Sequence, residues 1–135
     1  MRPLKSKLFF RDEGGAAALE FAIIAMALVL VSFGTVEFGR ALQVRNQLTF
    51  LADQAARQIL NDSDVTDAAV EAAVEAAYDG PNSELLEVDV ALDSEADPDG
   101  TTYRNIEISY PFTLLVPQLS SSTITLTATE RVPET

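Results

Sequence analysis

The sequence contains no cysteine and no histidine. Without cysteine, neither a disulfide nor a metal–thiolate site can be built. Without histidine, the chain lacks the commonest general base and the commonest metal ligand. Lysine is confined to Lys5 and Lys7, near the N-terminus. The hydroxyls of Ser120, Ser121, Ser122 and the threonines after them therefore have no lysine or histidine nearby in sequence to activate a nucleophile. These absences argue against an enzyme, and no cofactor or metal site is expected. Cations are scarce: nine Lys and Arg stand against 21 Asp and Glu, for a net charge of −12. A surface of that sign does not favour nucleic acid, whose binding rests on neutralising phosphates.

Charge is also absent from one long stretch. Phe21 to Val36 reads FAIIAMALVLVSFGTV, with no ionisable side chain and no proline. With Ala16 to Leu19 and the turn through Phe38, the run reaches the roughly 20 residues that cross a hydrocarbon core as a helix. A helix satisfies its own backbone groups there. Glu20 lies inside the run, where a carboxylate costs on the order of a few kcal/mol unless it is paired, protonated or near the interface. It sits either at headgroup level or against a partner such as an amine. At the other end Glu37 and Arg40 are three apart, share a helix face and can pair, which reads as a membrane-exit pair.

The charges that exist are unevenly placed. Residues 1–15 carry Arg2, Lys5, Lys7 and Arg11 against Asp12 and Glu13, whereas residues 41–135 carry four arginines against seventeen acids. Basic residues flanking a span stay in the cytoplasm. The expected organisation is a basic cytoplasmic leader over 1–15, a transmembrane helix over 16–40 and an acidic extracytoplasmic domain over 41–135. Arg40 and Arg45 oppose this orientation somewhat.

Gly15-Ala16-Ala17-Ala18-Leu19-Glu20-Phe21, between a short basic leader and an apolar helix, resembles the cleavage site of type IV prepilins. The resemblance implies that a prepilin peptidase cuts after Gly15, leaving Ala16 as the new N-terminus and Glu20 as the fifth mature residue; Gly14 would place Glu20 sixth. The longer strings GAAALEFAII and VEFGRALQVRNQL resemble the N-terminal module of TadE-like proteins, the minor pseudopilins of bacterial tight-adherence (Flp) pilus systems. Ser109-Tyr110-Pro111-Phe112 and the TLTATER of Thr125 to Arg131 also look like that family. The likeness is strongest over residues 13–60, and residues 61–100 carry no family signature.

The resemblance implies a bacterial inner-membrane protein with one span, its N-terminus cytoplasmic and its C-terminal domain periplasmic. Its implied partners are the prepilin peptidase, other pilins or pseudopilins, and inner-membrane platform proteins of the same secretion system. Two other readings remain. One is a bitopic scaffold that never enters a filament. The other is an exported acidic protein whose signal peptide ends at the imperfect small-x-small site Ser32-Phe33-Gly34.

Beyond the run, Leu42, Val44, Leu48, Leu51, Ala55 and Ile59 recur at helical spacing, so one helix is expected from Ala16 to about Leu60, roughly 65–70 Å long at 1.5 Å per residue. Thr66 reads as the N-cap of a second helix over 67–78, closed by Asp79-Gly80-Pro81-Asn82 with the glycine as C-terminal cap. The period then changes to two. Leu86 to Val90, Tyr103 to Leu115 and Ser122 to Val132 read as three strands, with Pro111 limiting the pairing of the second or bending it towards an edge. The expected class is α+β: a long helix, a short one, and a small antiparallel sheet with one face on the helix. Asp93 to Gly100, DSEADPDG, starts like a calcium loop but puts Ile106 at the twelfth position counted from Glu95, so it reads as a solvated turn.

Overall fold

The computed structural model describes residues 13–93, 100–115 and 123–134. In chain order these form α1 (Glu13–Asn61), α2 (Asp67–Ala77), a single 3-10 turn (Ser83–Leu85), β1 (Glu87–Leu92), β2 (Tyr103–Thr113) and β3 (Thr123–Pro133). The chain divides after Val36 into two compact units. The expected α+β class is present, with the short helix and a three-stranded antiparallel sheet among the described residues.

The first unit is the apolar part of α1. Leu19 to Val36 present their large hydrophobic side chains to the outside, and the helix contains an eighteen-residue window of mean hydropathy 2.4 with none of it buried. Among the described residues this is the one helix long and apolar enough to cross a membrane. Its two hydroxyls are internally satisfied: Ser32 donates to the Leu28 carbonyl at 2.8 Å and Thr35 to the Val31 carbonyl at 2.9 Å. Each bonds back one turn, which leaves no unmet donor facing an apolar medium.

The second unit is the head. The rest of α1 buries Leu48, Leu51, Ala52, Ala55, Ala56 and Ile59, with Ala41 and Val44 partly covered above them. The three- and four-residue steps between these positions make one continuous stripe. Leu42 was expected on this face but is 44% exposed, and Ala41 takes its place. The register of the stripe is set by Val44 and Leu48, and Leu42 lies too far round the helix to join them.

α2 begins at Thr66, whose hydroxyl accepts from the Ala69 amide at 3.3 Å as the N-cap was expected to do. It contributes Val70 and Val74 to the core. Its end differs from the expectation. Tyr78 closes the helix in an extended conformation, and the left-handed position falls at Asn82, with φ 51°. Gly80 is needed for closeness instead: a Cβ built there would overlap the Tyr78 ring.

The sheet order is β1-β2-β3. Val90 stands opposite Ile106, Ile108 opposite Ala128, and Tyr110 opposite Leu126. These residues share the face that closes the core with α1 and α2. The other face carries Glu87, Asp89, Glu107 and the exposed threonines of β3, with Asp89 directly opposite Glu107. β2 is the central strand, so of the two effects expected of Pro111 the sheet shows limited pairing and not an edge position. β1 stops pairing at Glu87–Ser109, and at Pro111 only Thr125 of β3 lies alongside. A missing N–H is tolerated where one side of the strand has no neighbour.

Candidate functional site

The residues expected to carry function fall in two places on α1. Gly15, Ala16, Glu20 and Phe21 all stand exposed in its first turns. A Cβ built at Gly15 would meet open space. The leader through Asp12 lies outside the described residues, as do positions 94–99 of the acidic loop and Ser120, Ser121 and Ser122. Among the described residues no group of acidic side chains could hold a metal ion.

The second place is the start of the head. Glu37 and Arg40 form the expected ion pair at 3.1 Å, and Arg40 Nη1 also lies 3.3 Å from the second carboxylate oxygen. The pairing is only part of the arrangement. Glu37 is 8% exposed, the one buried charged residue among those described. Its Oε1 accepts the backbone N–H of Leu115 at 2.8 Å, a bond between residues 78 apart in sequence. A charge-assisted bond to a backbone donor is among the stronger kinds, and it offsets part of the desolvation of the carboxylate. The Arg40 guanidinium also stacks over Phe112 at 5.1 Å from the ring centre. One turn of α1 thus holds the last residues of β2 and the chain that leaves it.

Beside Arg40 lies a cleft of about 330 Å³ lined by Gln43, Gln47, Pro81, Asn82 and Phe112. Its floor is braced by two tyrosines. Tyr110 donates to the Pro81 carbonyl at 2.9 Å and Tyr78 to the same oxygen at 3.4 Å, with the two rings 5.7 Å apart. Burial, with Tyr110 next to it, pushes the Tyr78 hydroxyl up to about 12.

A third cluster was missed by sequence reasoning. Arg104 of β2 donates to the Val65 carbonyl at 2.8 Å, pairs with Glu134 at 3.2 Å and lies 3.6 Å from Asp67. The signal was available: Arg104 has the parity of Ile106 and Ile108, so the strand period places a cation on the core face. The cluster ties the connection before α2 to β2 and to the residue that follows β3.

Taken together, the described residues make an exposed apolar helix, of a length and composition that fit a membrane anchor, followed by a small acidic head. Residues 15–57 match the family model described as TadE-like protein. The match includes Gly15, Glu20, Glu37 and Arg40, and it ends before the C-terminal strings that also resemble the family. No curated protein and no solved structure matches the chain.

Proposed function

We propose that this chain is a minor pseudopilin of a tight-adherence pilus system, acting as a structural or assembly component and not as a catalyst. It inserts in the bacterial inner membrane with its N-terminus in the cytoplasm and its head outside. A prepilin peptidase removes the leader after Gly15. Glu20, four residues from the new amine of Ala16 and on the same helix face, pairs with the amine of a neighbouring pilin or pseudopilin.

The observation that carries this reading is the TadE-like module itself: residues 15–57 join the G-x4-E site, the apolar run and the start of the head in one matched segment. The exposure of Gly15 through Glu20 agrees with access by a peptidase.

The test is the N-terminal residue of the protein recovered from membranes of a strain carrying its native secretion genes. Ala16 is expected. Thr35 would mean a secreted head and would overturn the reading. Met1 or Arg2 would mean an uncut anchor and would favour a bitopic scaffold of the secretion apparatus.

A further inference from the structure

We infer that two copies of this chain join their sheets edge to edge, β3 against β3, in an antiparallel pair centred on Leu126. The inference goes beyond the proposed function and does not depend on it.

Two bonds fix where the backbone groups of the sheet point. The Asp93 amide donates to the Tyr103 carbonyl at 2.7 Å, and the Glu134 amide to the Thr102 carbonyl at 2.9 Å. The N–H and C=O of a residue in an antiparallel strand share one side, and the side alternates along the chain. Odd-numbered residues of β2 therefore face β1, and even-numbered ones face β3. With Ile106 opposite Glu130 and Ile108 opposite Ala128, the even residues of β3 bond to β2. Thr123, Thr125, Thr127 and Thr129 turn their N–H and C=O groups the other way. Among the described residues no strand lies on that side.

The two edges of the sheet differ. β1 has six residues, two of them the acids Glu87 and Asp89, and its outward Val90 amide donates to the Glu71 carboxylate of α2 at 3.3 Å. Shortness, charge and cover are ordinary protections of an edge. β3 has eleven residues, paired to β2 without a bulge. From Thr123 to Thr129 it contains no charge, no proline and no glycine. Ile124 on this edge is 46% exposed.

These seven residues read TITLTAT, nearly the same in both directions about Leu126. A twofold axis at Leu126 makes a second copy the matching partner. Thr123 then stands opposite Thr129 of the second copy, Ile124 opposite Ala128, Thr125 opposite Thr127, and Leu126 opposite itself. Each threonine pair exchanges two backbone bonds, and threonine against threonine is a favourable cross-strand pair. The apolar pairs share the other face and cover Ile124. No ionisable side chain lies in the paired segment. The acids of β1 fall at the far edges of the joined sheet, about 24 Å apart at five strand spacings, beyond the Debye length at physiological salt.

The chain has no cysteine, so introduced thiols report without background. Full-length protein in detergent is oxidised with copper phenanthroline and run without reductant. Leu126→Cys should form a disulfide-linked dimer, since its two Cα atoms lie about 4.5 Å apart, within disulfide range. Thr123→Cys alone and Thr129→Cys alone should not cross-link, because each lies six residues, about 20 Å, from its own copy. A mixture of these two variants should cross-link. Charge reads the same register. T123K/T129K sets like charges opposite one another twice and should weaken the dimer roughly 2- to 30-fold in analytical ultracentrifugation. T123E/T129K sets opposite charges there and should keep it. Copies that stay monomeric overturn the inference. So does cross-linking of Thr123→Cys alone equal to that of the mixture, or equal dissociation constants for the two charge variants. If Leu126→Cys does not fold, the mixed threonine variants, both at exposed positions, read the same contact.

Discussion

Arg104 donates to the carbonyl oxygen of Val65 at 2.8 Å, so a strand cation closes the connection between the two helices. Its side chain is only 11% exposed, and its two carboxylate partners, Asp67 and Glu134, are partly open to water. The guanidinium is therefore the costlier group to leave unpaired, while the carboxylates can hydrate when it is removed. Arg104→Ala should lower stability by about 1–3 kcal/mol through the lost bonds and the unmet Val65 acceptor. Thermal unfolding in detergent reads the change. Arg104→Ala melting with the parent would show that the cluster carries no stability.

Gly80 is required by contact, not by backbone angle. Gly80→Ala should cost about 1–3 kcal/mol, as overpacking does when the neighbour is a ring held in place. Tyr78→Ala in the same chain should remove most of that penalty, and a double-mutant cycle on the melting temperature measures the coupling. Additive effects would mean that the ring moves aside freely.

The Tyr78 hydroxyl sits at about 12 in the folded chain against 10.0 for an ordinary tyrosine, burial being the main cause. The folded state holds this proton more tightly than the unfolded state. The contribution to stability is thus complete below about pH 10 and is lost as the pH rises through about 12. Tyr78→Phe should flatten the fall in melting temperature across that window. Tyrosinate absorbance should also lose its latest-titrating component. Identical titrations of parent and variant would contradict this assignment.

Glu20 is the one charge between Ala16 and Val36. Glu20→Ala lengthens the apolar run, so membrane insertion should be retained or strengthened. If the carboxylate pairs with a neighbour's amine, co-purification with pili should fall while the amount in the membrane does not. Unchanged co-purification would remove the pairing role.

Local signals in the sequence reached far into this fold. The change from an all-apolar run to a one-sided stripe gave α1, Thr66 marked the start of α2, and the two-residue period located the strands. Such features depend on neighbours within a turn or a strand repeat. What could not be read were relations across long separations. Glu37 paired visibly with Arg40, but its bond to Leu115 spans 78 residues and uses a backbone amide, which has no sequence signature. Gly80 looked like a helix cap because glycine usually serves that geometry, and its real constraint is the ring of Tyr78. Pro111 left limited pairing and an edge position both open, because the shortness of β1, which frees one side of β2 there, is a property of another strand.

The outer face of the sheet sets Asp89 against Glu107, with Glu87 beside them. Like charges opposite one another weaken a sheet slightly, by up to about 1 kcal/mol. Between molecules the same carboxylates act more strongly. Two heads brought sheet to sheet would confront one anionic patch with its twin, and Arg131, the cation on that face of β3, is already paired with Asp93 at 3.2 Å. Crowded copies are thereby turned away from stacking through their sheets. The sheet remains a wetted outer wall.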